Sequence, residues 1–257
     1  MKARLKRHFV AKDPILGEIV SLTEQYGLTN SPYASAFETL AHSIASQQIS
    51  GAVARKMIER LKIQHGGRFP TPGELATATA EALRPAGFSF AKIAALKDLA
   101  AHCLDGRLPE DPVLAAMSDE EIIQRCVAVR GIGTWTAQML LMFHFGREDV
   151  LPVDDFGVRN GFRLAYRLKG MPKPKALLAY GARWAPYRSA AAWYLWRAVE
   201  LHKDGRLPKR SGRAPRIELE KARVPKASKA PKASKTKRGA KSRKVRSARK
   251  PKAARAQ

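Results

Sequence analysis

The sequence predicts an all-α fold for residues 1–208, followed by a basic tail over residues 209–257 that we expect to be disordered. Apolar side chains recur at the three- and four-residue spacing of amphipathic helices, as Phe37, Leu40 and Ile44 do. Helix start signals, such as a threonine or serine with an acidic residue three positions later, stand before several of these stripes. No segment alternates apolar and polar residues between turn signals, so we expect almost no sheet.

The helices can be placed in order from their apolar stripes and their end signals. A stripe begins at Phe37, and another follows Gly51. Glycines after the later stripes mark helix ends, because glycine readily adopts the left-handed conformation that closes a helix. We expect helices over residues 37–45, 53–61, 155–168 and 174–184, one from Ser89 to Asp105, and a last one that begins at Pro186. Three more helices should begin at caps: one at Pro72 after the Thr71 cap, one after the Ser118 cap, and one after the Thr134 cap that reaches Gly146.

The charge is unevenly distributed along the chain. The formal net charge is +26, and residues 209–257 hold 20 basic and two acidic side chains, which leaves +8 for residues 1–208. Such a charge predicts a polyanionic partner, in the first place nucleic acid. The tail repeats lysine, alanine, serine and proline with almost no apolar side chain, so it cannot bury enough surface to order itself. It would bind phosphates without sequence preference, or serve only for solubility or targeting.

Several classes of protein are excluded by composition. No apolar run approaches the ~20 residues of a membrane span, and no secretory signal follows the charged first residues. Cys103 and Cys126 cannot build a disulfide framework or a four-thiolate metal site, and the six histidines do not pair at metal-ligand spacing. We therefore expect an intracellular protein in a reducing compartment, without a membrane partner.

Two glycines separate two predicted helices near residues 119–145. Gly131 and Gly133 allow a tight turn with positive φ, and they let main-chain amides at the start of the next helix approach an anion. On a basic protein we expect this anion to be a DNA phosphate. Taken alone, the motif is more often an ordinary joint between two helices.

Two neighbouring acids, Asp154 and Asp155, stand before the next predicted helix. One aspartate can cap the helix, and we assign that role, or a role in orientation, to Asp154. The second acid has no purely structural need in so basic a protein. A carboxylate that faces bound DNA can stabilise positive charge that develops on a sugar and can help a water molecule to attack.

Taken together, these segments resemble the helix–hairpin–helix DNA glycosylase superfamily, and most closely its 3-methyladenine, alkylation-repair type (glycosylase II). The similarity includes Gly131–Met139 at the hairpin and Leu151–Phe156 at the catalytic segment. Ile44–Ser50 is similar to the early helix and wedge loop. Residues 184–189 and 193–196 are similar to the C-terminal helices. The resemblance covers about residues 10–205 and implies two helical subdomains that flank a cleft.

The resemblance implies a monofunctional DNA glycosylase of base excision repair. Such an enzyme flips an alkylated purine of the 3-methyladenine or 7-methylguanine type and hydrolyses its N-glycosidic bond, which leaves an abasic site. Trp135 stands where relatives that also cleave the backbone carry a lysine, so the Schiff-base nucleophile is missing. By their positions in the family pattern, Asp155 would be the catalytic residue, and Trp135, Trp196 and Met139 would line the substrate pocket. Gln48 would be the wedge, and Gly131, Gly133 and Thr134 would bind a DNA phosphate.

The same resemblance bears on cofactors and partners. We expect no required cofactor, although hairpin carbonyls could hold a monovalent cation as in relatives, and two cysteines cannot build an iron–sulfur cluster. We expect a monomer that binds double-stranded DNA with a damaged base. It would be cytoplasmic and nucleoid-associated in a bacterium, or nuclear in a eukaryote.

Alternatives remain at this point. Gln47 and Gln48 could be solvated helix-end residues, and either tryptophan could fill the core. The protein could be a non-catalytic architectural DNA binder, against which the paired aspartates and the tryptophans argue. It could also be a glycosylase for a mismatch, hypoxanthine or an oxidised purine, the last being disfavoured by Trp135.

Overall fold

A computed structural model describes residues 1–24, 26–28, 31–208 and 215–220. The described residues are helical, without a strand, which confirms the predicted all-α class. None of these helices combines the length and the apolar character that crossing a bilayer requires. The helices are α1 Lys2–Lys12, α2 Pro14–Leu22, α3 Ala36–Ser46, α4 Gly51–Gln64, α5 Pro72–Thr77, α6 Ala80–Leu83, α7 Phe90–Leu104, α8 Asp111–Ala115, α9 Asp119–Ala128, α10 Thr134–Met139, α11 Phe156–Ala165, α12 Pro174–Gly181 and α13 Arg188–Lys203, with short 3₁₀ turns at Arg84–Ala86 and Ala182–Trp184 and a π-helical turn at Leu140–His144.

Most predicted helix starts are confirmed by their caps. Thr71 and Ser118 form capping boxes with Glu74 and Glu121, and the hydroxyl of Ser89 caps α7. The predicted cap at Thr134 is wrong, because Gly133 is the N-cap of α10 and Thr134 is its first helical residue. A glycine cap leaves the first N–H groups of α10 without a side-chain acceptor.

Two helix limits also differ from the sequence prediction. The helix expected to reach Gly146 is α-helical only as far as Met139, after which the chain continues as the π-helical turn Leu140–His144. The last helix begins at Arg188 rather than at Pro186, since Tyr187 is its N-cap. The π-helical turn matters for the site, because it widens the backbone where the helix faces the cleft.

The helices pack into two groups. One contains α1, α2, α11, α12 and α13, and the other contains α3 to α7, α9 and α10. Asp111 of α8 is hydrogen-bonded to the second group through Ala36 and His144. Helices α11 and α13 cross closely at Gly161, where a Cβ atom would lie 1.9 Å from the carbonyl oxygen of Leu195. The two groups agree with the expectation of two helical subdomains.

A short C-terminal segment is held against the first group. The N–H of Lys173 donates to the carbonyl of Glu218 at 2.9 Å, and the N–H of Glu220 donates to that of Met171 at 2.8 Å. Glu220 also pairs with Arg159 at 2.5 Å, and Glu218 pairs with Lys173. Residues 217–220, which the sequence assigned to the tail, are thus a docked segment. The remainder of the predicted tail, residues 209–214 and 221–257, lies outside the described residues.

Candidate active site

A cleft of about 460 Å³ lies between α3 and the helix that follows the hairpin. Its walls come from the loop before α3, from one face of α3, and from α10 with the π-helical turn. They are mainly apolar and aromatic, as is typical of ligand pockets. The lining residues are Ser31, Pro32, Tyr33, Thr39, His42, Ser43, Ser46, Gln47, Trp135, Thr136, Met139, Leu140 and Phe143.

The glycine hairpin is fixed to its surroundings on both sides. Gly131 has a φ of +79°, the left-handed conformation for which glycine was predicted here. The N–H of Arg130 donates to the carboxylate of Asp98 on α7 at 2.7 Å. The side-chain amide of Gln47 donates to the carbonyl of Gly131 at 2.8 Å. The hairpin therefore presents the uncapped start of α10 from a rigid support.

Asp155 is held by three hydrogen-bond donors. Its Oδ1 accepts from the N–H of Val158 at 2.7 Å and from Nε1 of Trp196 at 2.8 Å. Its Oδ2 accepts from Nε1 of Trp135 at 2.8 Å. Asp155 is also the N-cap of α11, so the capping role predicted for Asp154 is wrong. Asp154 is exposed, because the extended backbone at Asp155 places the second acid, not the first, over the start of the helix.

Gly157 makes room for this arrangement. A Cβ atom at this position would lie 2.8 Å from Cδ1 and 3.0 Å from Nε1 of the Trp196 indole. It would also lie 3.1 Å from Oδ1 of Asp155. Any side chain at Gly157 would therefore displace either the indole or the carboxylate that the indole holds.

The predicted pocket residues fall in two places. Trp135, with 48% of its surface exposed, and Met139 both line the cleft. Trp196 is not among the lining residues of the cleft, and its role in the pocket stays a prediction. It stacks on Phe143 at a ring distance of 6.0 Å, and Phe143 lines the cleft. Trp196 therefore contacts both a residue of the wall and the carboxylate of Asp155.

The predicted wedge residue lies in a strained turn. Gln48 is exposed between α3 and α4 and has a φ of +59°, which is uncommon for a residue with a side chain. Sequence reasoning missed a second exposed residue, Phe90, at the start of α7 with 65% of its surface exposed. Nζ of Lys92 donates to the carbonyl of Ala45 at 2.6 Å and holds the start of α7 near the end of α3. Because Phe90 continues the apolar stripe of α7, its spacing alone would assign it to the core.

His42 is a further wall residue that the sequence did not single out. Its ring stacks on Tyr33 at 3.8 Å and on Phe69 at 5.6 Å. Burial lowers the pKa of His42 to about 4, despite the opposing effect of Glu38. The imidazole is therefore neutral near pH 7, and this wall of the cleft carries no positive charge from it.

Metal-binding residues do not cluster within the described part of the chain, where no group of three or more His, Cys, Asp or Glu side chains could hold an ion. Burial raises the pKa of Cys103 to about 11 and that of Cys126 to about 12, so both thiols are protonated near neutral pH. The monovalent cation considered for the hairpin and the lack of a cofactor requirement stay predictions.

Comparison with known proteins agrees with this geometry. Residues 41–186 match the family described as HhH-GPD superfamily base excision DNA repair protein. DNA-3-methyladenine glycosylase 1 of Schizosaccharomyces pombe is 40% identical over 166 residues, which are 64% of this chain and 73% of that protein.

Two solved structures share the fold. The 3-methyladenine DNA glycosylase of fission yeast in complex with abasic DNA superposes with a TM-score of 0.69 at 36% identity, over 77% of this chain and 97% of that one. A DNA-3-methyladenine glycosidase from Bacillus halodurans gives 0.71 at 34% identity, over 77% and 90%. The chain belongs to the HhH-GPD superfamily of base excision DNA repair proteins.

Proposed function

We propose that this protein is a monofunctional DNA glycosylase of base excision repair that hydrolyses the N-glycosidic bond of alkylated purines of the 3-methyladenine and 7-methylguanine type. The observation that carries the proposal is the Asp155 carboxylate, which three donors orient beside an aromatic cleft. The relatives named as 3-methyladenine glycosylases support the same substrate class.

The cleft suits an extruded base with a positive charge. Aromatic faces attract cations, and Trp135, Tyr33 and Phe143 supply such faces around the cleft. The neutral imidazole of His42 adds an aromatic surface without electrostatic repulsion. Alkylated purines carry the positive charge that such walls favour. Their extrusion also costs less than that of an undamaged base, which adds to the selectivity.

Asp155 supplies the charge that the reaction needs. A cationic base is already a good leaving group, so the bond to the sugar breaks as positive charge develops on the sugar ring. The carboxylate of Asp155 stabilises that charge, and water completes the hydrolysis to an abasic site. Trp135 and Trp196 keep both carboxylate oxygens in place through their indole N–H groups.

The DNA backbone is held by the hairpin in this proposal. The amides of Gly131, Gly133 and Thr134 bind a phosphate at the start of α10, where the helix has no side-chain cap. Gln48 fills the gap that the extruded base leaves, and the exposed ring of Phe90 can enter the base stack beside it. The protein acts as a monomer on double-stranded DNA, in the compartment that holds the DNA.

Base release from a panel of lesion duplexes tests the proposal. The duplexes carry 3-methyladenine, 7-methylguanine, hypoxanthine, an oxidised purine or a mismatch, and the Asp155→Asn protein is the control. We expect release of the methylated purines by the unchanged protein alone, without a borohydride-trapped protein–DNA adduct. Tight binding without release of any base would instead support an architectural DNA binder.

The basic tail supplies nonspecific affinity in this proposal. Residues 222–257 hold 15 basic and no acidic side chains, whereas the docked segment 217–220 belongs to the body. Removing residues 222–257 should make binding less salt-dependent, because fewer counterions are released from DNA, and should spare single-turnover excision at low salt. An unchanged slope of log Kd against log salt would contradict a role of the tail in phosphate binding.

A further inference from the structure

A chain of four hydrogen-bonded side chains leads from the surface to the cleft. Oδ2 of Asp111 lies 2.6 Å from Nε2 of His144, and Nδ1 of His144 lies 3.2 Å from Oγ1 of Thr39. Thr39 Oγ1 lies 3.4 Å from the hydroxyl of Ser31. Ser31 and Thr39 line the cleft, while His144 is nearly buried behind them. The chain joins α8, the π-helical turn, α3 and the loop before α3.

The donor and the acceptor in each hydrogen bond of this chain follow from what each side chain can donate or accept. Asp111 can only accept as a carboxylate, so His144 carries a proton on Nε2. The single proton of Thr39 then points inward, either to Nδ1 of His144 or to the carbonyl of Ser35 at 2.9 Å. The Thr39 proton points away from Ser31 whether the imidazole of His144 is neutral or protonated. In the contact between the two hydroxyls, Ser31 is therefore the donor and Thr39 the acceptor.

Ser31 differs from the other serines of the cleft in the group that accepts its proton. Ser43 donates to the carbonyl of Thr39 at 3.0 Å, and Ser46 donates to that of His42 at 2.8 Å. The contact of Ser31 with Thr39 is long and weak by comparison. With its proton on Thr39, the hydroxyl of Ser31 faces the cleft as an acceptor.

The loop that carries Ser31 is held by the same π-helical turn. The N–H of Ser31 donates to the carbonyl of Phe143, next to His144. The hydroxyl oxygen of Ser31 accepts the N–H of Tyr33 at 3.3 Å. The position of Ser31 is thus set by main-chain contacts, and the polarity of its hydroxyl is set through Thr39.

We propose that the hydroxyl oxygen of Ser31 accepts a hydrogen bond from a donor on the edge of the extruded purine, and that Asp111, His144 and Thr39 fix this polarity by taking up the proton of Ser31. The inference rests on the proposed function and adds a determinant of substrate choice to it. Alkylated adenine and guanine present different donors at their edges. An acceptor of fixed polarity therefore favours the purine whose donor it meets, since a polar group left unpaired in a closed pocket is costly.

Substrate ratios test this role. Single-turnover release of 3-methyladenine, 7-methylguanine and hypoxanthine is measured for the unchanged protein and for Ser31→Ala, Thr39→Val and Thr39→Ser. One net hydrogen bond corresponds to a change of about tenfold. We expect Ser31→Ala to change the ratio of two of the rate constants by about that factor. Thr39→Val should change it in the same direction, and Thr39→Ser, which keeps the hydroxyl, should restore it.

The possible failures can be told apart. If the variants lower all three rate constants by the same factor, or leave the ratios unchanged, the chain of hydrogen bonds only holds the loop and the role of Ser31 is refuted. A duplex with an abasic-site analogue checks that DNA binding is preserved in each variant. If the unchanged protein releases no base at all, the proposed function fails, and the role of Ser31 fails with it.

Discussion

Two aspartates in this molecule are held in almost the same way but lie in different surroundings. Asp13 caps α2 by accepting the N–H of Leu16 at 3.3 Å. It also accepts the hydroxyl of Tyr166 at 2.6 Å and Nε1 of Trp184 at 2.8 Å. Only 3% of Asp13 is exposed, so its carboxylate joins the start of α2 to the core around α11.

Asp155 repeats this pattern at the cleft. It caps α11 through the N–H of Val158, and two aromatic side chains, Trp135 and Trp196, donate to its oxygens. In contrast to the site of Asp13, one of these donors is half exposed and lines the cleft. The hydrogen-bond pattern therefore does not distinguish a structural carboxylate from a catalytic one. The two sites differ in burial and in their neighbours, since Asp155 is only partly buried and is bonded to a residue of the cleft wall. The same substitution at both positions should separate a structural role from the proposed catalytic one.

Asp155→Asn should have the largest effect, on catalysis. Asparagine caps helices about as well as aspartate, and the Trp135 indole that would lose its acceptor is half exposed to water, unlike the partners of Asp13, so the fold should persist. Loss of the negative charge should lower single-turnover release of 3-methyladenine by about a thousandfold, comparable to the loss of other preorganised charge stabilisation. Binding to abasic DNA is the control. Release within tenfold of the unchanged protein would show that Asp155 is as structural as Asp13.

Asp13→Asn should mainly affect stability. The amide NH₂ would face groups that can only donate, or that already do, and would leave buried polar groups unpaired. We expect a loss of about 3 kcal/mol in the free energy of unfolding, measured by urea denaturation. The rate of base release per folded molecule should stay unchanged. A loss of activity in a protein of unchanged stability would contradict the division of roles.

The comparison also shows what the sequence could predict. Helix starts at Thr71, Ser89 and Ser118 depend on neighbouring residues and were correctly predicted. The choice between Asp154 and Asp155 as the cap depends on one backbone conformation, which two adjacent acids do not reveal.

The partners of Asp13 lie 153 and 171 residues away, so nothing near this aspartate in the sequence indicates that it is buried. The placement of Trp196 behind Phe143 likewise depends on how α13 crosses α11 at Gly161. Local signals thus predicted most of the helices. The wall of the cleft required contacts between distant segments.

Gly157→Ala should lower activity about thirtyfold, because the added methyl group pushes the Trp196 indole away from the carboxylate and small displacements at a catalytic group are costly. Alanine is otherwise the better helix former by about 1 kcal/mol. Gly73→Ala in α5 is the matched control, since a Cβ atom there meets nothing within 4 Å. Equal behaviour of the two variants would mean that close approach at Gly157 does not hold Asp155 in place.

Trp135→Phe should have the smallest effect and the most selective one. It removes the N–H donor to Oδ2 of Asp155 but keeps an aromatic face on the cleft wall. Phenylalanine also attracts a cation less strongly than tryptophan does. We expect the release rate of cationic 7-methylguanine to fall by about tenfold and that of neutral hypoxanthine to fall less. The attraction between a cation and an aromatic ring, worth about 0.5–2 kcal/mol, acts only on the charged base. Trp184→Phe makes the matched change at Asp13, where the indole is buried and does not line the cleft, and should lower stability without changing this ratio. Equal losses for both substrates with Trp135→Phe would mean that the indole acts only by orienting Asp155, as Trp184 orients Asp13.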